Sequence, residues 1–262
     1  VKGGRSYWTS TDGGTTWTIS VLSDYVNGIL KLTDGTIIMY GSRVFRSTDN
    51  GTSFSTSAAY YGHYKIVEAA NGDLYGFKYG KIDRSIDKGV TWTDLTITGL
   101  PATMQPNEAA IDATTNMMVH GWDGSAYNTY KIVGTTATPI TLPYSSSFNN
   151  VFYLDGKFYA SQFSAYYYSS DLGTTWTTVG FSGNAVFPLK NTSYSGIAVA
   201  KNGALQITQD NGGTWNNTNL PVSTAYITDI ATNAAGVYFA AAIGSSVLKF
   251  TNELLVNPTT LP

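Results

Sequence analysis

Four acids stand where a carboxylate pair could cleave a glycosidic bond: Asp24, Glu108, Asp123 and Asp229. Glycoside hydrolysis needs two carboxyl groups flanking the scissile bond, one as acid and one as nucleophile or base. The sequence brings no two of these four together, and each also reads as a solvated loop acid. Two histidines, His63 and His120, are too few for a metal centre, and neither zinc-ligand nor EF-hand spacing occurs. His120 falls within a predicted strand and reads as a packed side chain. The chain contains no cysteine, so disulfide and thiol chemistry are excluded. Neither a phosphate-cradling Gly-rich fingerprint nor a Gly-x-Ser-x-Gly elbow is present. No catalytic residue, metal or cofactor is therefore assigned, and the balance leans away from an enzyme.

A second group of residues suits binding better. Arg43, Tyr61, His63, Tyr79, Glu108, Trp122, Asp123 and Phe163 combine rings with a few polar groups. That mixture fits a ligand with apolar faces and hydroxyls, such as a sugar, or a protein surface. Tyr25, Tyr60, Tyr144, Phe148, Tyr226, Lys78 and Gln162 fall in comparable loops. A lone exposed aromatic needs no functional explanation, so it is the clustering of the loops that matters.

What must position these residues is a short motif that recurs five times. Its copies begin at Ser10, Ser47, Ser85, Ser169 and Thr208 and carry Asp12, Asp49, Asp87, Asp171 and Asp210 in the third place. The spacings between these aspartates are 37, 38, 84 and 39 residues. The long gap is two periods, so one copy has decayed. A repeat of about 40 residues built from strands indicates a propeller or a similar array. The carboxylate accepts local backbone bonds, and the Gly two places later permits positive φ. The aromatic at the end of each copy starts the next strand.

The motif resembles the Asp-box, or bacterial neuraminidase repeat. That turn occurs in sialidases, the sortilin ectodomain, xyloglucan-degrading propellers and a photosystem assembly factor. The resemblance covers nearly the whole chain. It implies a box between the third and fourth strands of each blade, on the face away from any active site. The five aspartates are then structural. Sialidases of this family clamp the substrate carboxylate with three arginines and carry an Arg-Ile-Pro signature. Here the arginines are Arg5, Arg43, Arg46 and Arg84, with none beyond and no Arg-Ile-Pro. Sialidase activity is not expected.

Composition agrees with an all-β chain: 262 residues, 14% aromatic, 12% charged and a net charge of −2. Without a basic block, nucleic acid is not expected as a partner. No apolar run reaches membrane-spanning length. The low charge and abundant Thr, Asn and Tyr suggest an exported bacterial protein: secreted, periplasmic or on the cell surface. A monomer is expected.

The layout predicts one β-propeller domain over 1–262, with 257–262 as an extended tail. Asp34-Gly35, Asn71-Gly72 and Asp155-Gly156 sit between alternating apolar segments, as hairpin turns require. In the fourth repeat Gly134-Thr-Thr-Ala137 replaces the box. Strands at Arg5–Thr9 and Trp17–Val21 are expected to pair with strands near 226–231 and 236–242. That closure gives six four-stranded blades; seven is the alternative, because Ser246–Phe250 resembles a further third strand. The expected function is non-catalytic recognition of a carbohydrate or protein through the face opposite the boxes. The alternative is a glycoside hydrolase using paired carboxylates there.

Overall fold

The computed structural model describes residues 4–12, 15–57, 59–143, 148, 150–162, 165–180, 185–190, 195–201, 204–217, 227–232, 237–242 and 246–251. All the regular structure among them is β, arranged as successive antiparallel meanders of a β-propeller. No helix among them is long and apolar enough to cross a membrane. The chain divides into two compact units, 1–147 with 171–174, and 148–170 with 175–262.

The first unit holds three sheets. The first contains β1 (Gly4–Thr9), β2 (Thr18–Lys31), β3 (Ile37–Gly41), β4 (Val44–Ser47) and β5 (Ser55–Thr56). The second contains β6 (Lys65–Glu68), β7 (Leu74–Lys78), β8 (Lys81–Ser85) and β9 (Thr93–Leu95). The third contains β10 (Gln105–Ile111), β11 (Met117–Trp122), β12 (Tyr127–Val133) and β13 (Thr136–Ile140). In the second unit lie β14 (Asn150–Leu154) to β17 (Thr177–Gly180), then β18 (Ala185–Lys190) to β21 (Asn216–Asn217). Its last sheet contains β22 (Ile227–Thr232), β23 (Val237–Ala242) and β24 (Ser246–Thr251).

Among the described residues, five sheets therefore have the four or more strands of a complete blade, and the sixth has three. Five complete blades stand where the sequence predicts six, or alternatively seven. The expected closure also differs. The Arg5–Thr9 strand pairs with β2, and β2 runs on unbroken into the pairing with β3. Chain continuity thus fixes the N-terminal hairpin to the first sheet. The sheet of β22 and β23 has its own third strand, β24, the segment that fitted the six-blade layout badly. The tail 257–262 lies outside the described residues.

The expected turns form. Gly35 adopts φ 91° while Gly35 N donates to Leu32 O at 2.9 Å, and Gly72 repeats this with φ 83° and a 2.9 Å bond to Ala69 O. The Asp turns close through their carboxylates. Asp49 Oδ1 accepts from Ser47 Oγ at 2.7 Å and Ser53 N at 2.9 Å, and Oδ2 accepts from Ser53 Oγ at 2.6 Å. Ser47 Oγ in turn accepts from Gly51 N at 2.8 Å. Asp87 and Asp210 repeat the scheme with Ser85, Thr91, Thr208 and Thr214. Asp12 accepts from Ser10 and Thr16 in the same way.

Alternating apolar residues bury between neighbouring sheets. Leu32, Ile38, Val44, Ile66 and Leu74 form the core between the first and second sheets, with Tyr61 and Trp92 against it. Phe77, Ile82, Met104, Val119, Tyr130 and Ile132 form the core between the second and third. In the second unit Phe152, Tyr159, Tyr166, Val186, Ile197 and Val199 do the same. Burying a side chain of this size stabilises by about 1.5–3 kcal/mol. The first hairpin is the exception. Trp8, four residues before Asp12, is 55% exposed, whereas its counterparts Phe45, Asp83 and Tyr167 are 1%, 1% and 6% exposed. Its cross-strand neighbour Ile19 and nearby Val21 are exposed as well.

Candidate functional site

Antiparallel strands put alternate connections at opposite ends of a sheet. In the first unit the Asp49 and Asp87 turns and the β2–β3, β6–β7 and β10–β11 turns share one end. The β3–β4, β7–β8 and β11–β12 turns and the links between sheets share the other. This second end is held together by backbone contacts. Tyr61 N donates to Ser42 O at 2.9 Å, and Gly80 N donates to Met104 O at 2.7 Å. Thr103 Oγ1 donates to Asp123 O, and Gly124 (φ 104°) lies against Thr103. Exposed on it are Tyr25, Tyr60, Tyr64, Tyr79, Trp122 and Tyr127.

Most of the expected binding residues reach this end, but their charged groups are engaged. Arg43 Nε donates to Asp24 Oδ2 at 2.9 Å and Nη1 to Ser57 O at 2.8 Å, while its guanidinium lies 3.8 Å over the Tyr60 ring. Contact with Tyr60 is the main reason the Arg43 pKa is raised further. Glu108 Oε2 accepts from Lys65 Nζ at 2.8 Å, joining the second and third sheets. Asp123 caps its own turn, accepting from Ser125 N at 2.9 Å, Ala126 N at 3.0 Å and Asn128 Nδ2 at 2.5 Å. The backbone bond from Ala126 leads the set that holds its carboxyl well below the usual carboxylate range. Trp122 and Tyr127 meet edge to face at 5.5 Å.

Tyr61 and His63 point inward instead. His63 is fully buried, stacked on Tyr61 at 5.4 Å and 4.5 Å from the Trp92 ring. Its Nε2 lies 3.0 Å from Asp83 Oδ2, which Lys78 Nζ also approaches at 2.7 Å. Lys78 further donates to Asp94 at 2.8 Å, and Lys81 reaches the same carboxylate at 2.7 Å. Gly76 lies flat against the imidazole, where any Cβ would collide with it. His120, in β11, is buried with Nδ1 2.9 Å from Thr129 Oγ1, and burial lowers its pKa to about 4. Phe148 and Gln162, in the second unit, are buried. Phe163, Tyr144, Tyr226 and the Asp229 side chain lie outside the described residues.

Among the described residues no group of three or more His, Cys, Asp or Glu side chains could hold a metal. The sequence reading missed Tyr64, Tyr127, the Arg5–Tyr25 stack at 4.6 Å and the Asp83 network. One signal was available for the last. Asp83 is an acid where the matching third-strand positions hold Phe45 and Tyr167.

No curated protein matches the sequence. Among solved structures, YCF48 bound to D1 peptide is similar at 18% identity, covering 96% of this chain and 87% of that chain with a TM-score of 0.66. The extracellular domain of a protein described as a hybrid two component system from B. thetaiotaomicron has 12% identity and a TM-score of 0.64, over 100% of this chain and 39% of that one. BBS1N in complex with ARL6DN has 14% identity and a TM-score of 0.67, over 92% and 82%. At these identities the likeness is one of fold. The family model described as the DUF6242 beta propeller domain matches residues 90–246. This chain belongs to the DUF6242 beta-propeller domain family.

Proposed function

We propose that this chain is a non-catalytic recognition propeller. It binds a protein segment, or alternatively a glycan, through the first-unit end opposite the Asp49 and Asp87 turns. One observation carries the reading: turns tied by hydrogen bonds to the links between sheets hold Tyr60, Tyr79, Trp122 and Tyr127 in solvent. Rigid aromatics lose little conformational freedom on binding and offer large contact areas. Similar propellers include one solved with a peptide and one solved with a protein, which favours a protein ligand. The glycosidase reading is weaker. Asp24 and Glu108 are each paired with a cation and Asp123 is committed to its turn.

On the same reading the recurring turns are Asp-boxes, 1–262 is one propeller domain, and the protein is an exported bacterial monomer. The extracellular setting of a similar propeller supports export. Pull-down from the native source, run beside a glycan array, tests the reading. A partner retained by the wild type should be lost at least tenfold with Tyr60→Ala plus Trp122→Ala. Nothing above background in either assay would overturn it.

A further inference from the structure

The buried His63 seat holds down a surface loop. Residues 59–64 carry the exposed Tyr60 and Tyr64 at either side of the inward-facing Tyr61 and His63. Four hydrogen bonds fix the segment. Tyr61 N and Gly62 N donate to Ser42 O at 2.9 and 3.3 Å, Asn27 Nδ2 donates to His63 O at 2.9 Å, and Tyr64 N donates to Phe77 O at 2.8 Å. The imidazole is the part of the segment that reaches the protein interior as a polar group.

The seat suits only a neutral ring. With Asp83 Oδ2 accepting, the ring carries its proton on Nε2, and Nδ1 has no hydrogen-bond partner. A proton added at Nδ1 would be a buried donor without an acceptor, which costs about 1–3 kcal/mol or more when charged. Electrostatics offers little in return. From β8, Asp83 faces the ring, but Lys78 of β7 already lies 2.7 Å from that carboxylate. Beyond Lys78 stand Asp94 of β9 and Lys81 of β8, themselves paired. The remaining walls are Tyr61, Trp92 and Gly76, none able to solvate a cation as water does.

We propose that His63 is an acid-released latch for the 59–64 segment: protonation expels the ring from beside Asp83 and frees the loop that displays Tyr60 and Tyr64. The latch concerns the loop itself and stands whether or not that end binds a ligand. Burial lowers the His63 pKa from its ordinary 6.5, so the seated form is favoured above that value. Below it, the expelled ring takes up a proton that the seated ring cannot. Opening therefore increases tenfold per pH unit until the seated ring itself titrates.

Hydrogen exchange of the Tyr61, Gly62 and Tyr64 amides, corrected for intrinsic rates, reads the latch between about pH 7 and pH 5. Protection of these amides should fall about tenfold per unit below about pH 6.5, with amides of β15 (Lys157–Ser161) unaffected. His63→Gln should abolish the slope, and His120→Gln should leave it intact. If His63→Gln does not fold, the wild type decides by ring-nitrogen NMR, with only two histidines to assign. A pH-independent protection, or a His63 that titrates at its ordinary value while the amides stay protected, would overturn the latch.

Discussion

Ser47 shows how much one hydroxyl can hold. It donates to Asp49 and accepts from Gly51 N while being almost fully buried. Ser85 and Thr208 repeat the arrangement. Replacing Ser47 by Ala leaves the Gly51 N–H without its acceptor, so stability should fall by about 1–2 kcal/mol. Chemical denaturation checks this; an unchanged midpoint would mean that water replaces the hydroxyl. The Asp and Gly of the turn were legible in the sequence because their roles depend on local chemistry. The residue between them was not. Asn50, Lys88, Leu172 and Asn211 all take positive φ, between 52° and 58°, and a Lys or Leu there announces nothing.

Strand elements meet the same glycine device twice. Gly41 ends β3 and Gly121 lies near the end of β11. At each, the space for a Cβ is filled by backbone of the preceding strand, Tyr25 and Val26 or Gln105 and Pro106. In each case that strand carries a register shift at the contact, between Val26 and Gly28 and between Pro106 and Glu108. The bulge brings the two backbones too close for a side chain. Gly121→Ala should therefore cost about 1–3 kcal/mol in a thermal melt, while Ala at Gly180, which has open space and no positive φ, escapes the clash. These bulges were not legible, because a shift of pairing leaves no periodic trace. Nor was the continuity of β2: Ser23-Asp24-Tyr25 reads as a loop, whereas it lies within one strand, in the register shift between the Ser6–Val21 and Gly4–Val26 pairs. The Asp-Gly and Asn-Gly hairpins were legible, since the positive φ they need is written in the glycine.

At the scale of the whole molecule, the Asp turns make stability depend on acid. Hydrogen bonds led by the Ser53 hydroxyl hold Asp49 at about 2, and bonds led by Thr214 N hold Asp210 at about 2, against an ordinary 3.8. Asp12 is lowered by Thr16, and Asp87 is lowered by Thr91 despite the opposing effect of burial. Depressed carboxylates stabilise fully above their unfolded value and lose that contribution as pH falls through the folded one. The thermal midpoint should thus drop between pH 3.8 and about pH 2. It should drop less steeply in Asp49→Asn plus Asp210→Asn; equal slopes would assign acid sensitivity to other groups. At this scale the propeller was legible from repeat spacing alone. The aromatic end of the first unit was legible only as a set of loops, because which aromatics turn outward depends on packing between sheets: Tyr60 is exposed and adjacent Tyr61 is not.

The first hairpin has a practical corollary. Trp8, Ile19 and Val21 present an apolar strip to solvent, where the residues matching Trp8 in other sheets are buried and those matching Ile19 are the polar Thr56, Asp94 and Thr178, and among the described residues β1 pairs along one flank only. Fluorogenic dyes that light up on greasy surfaces will adsorb to the native protein there and start every melting trace from a raised baseline. Intrinsic tyrosine and tryptophan emission, or calorimetry, is the sounder gauge of unfolding for this molecule.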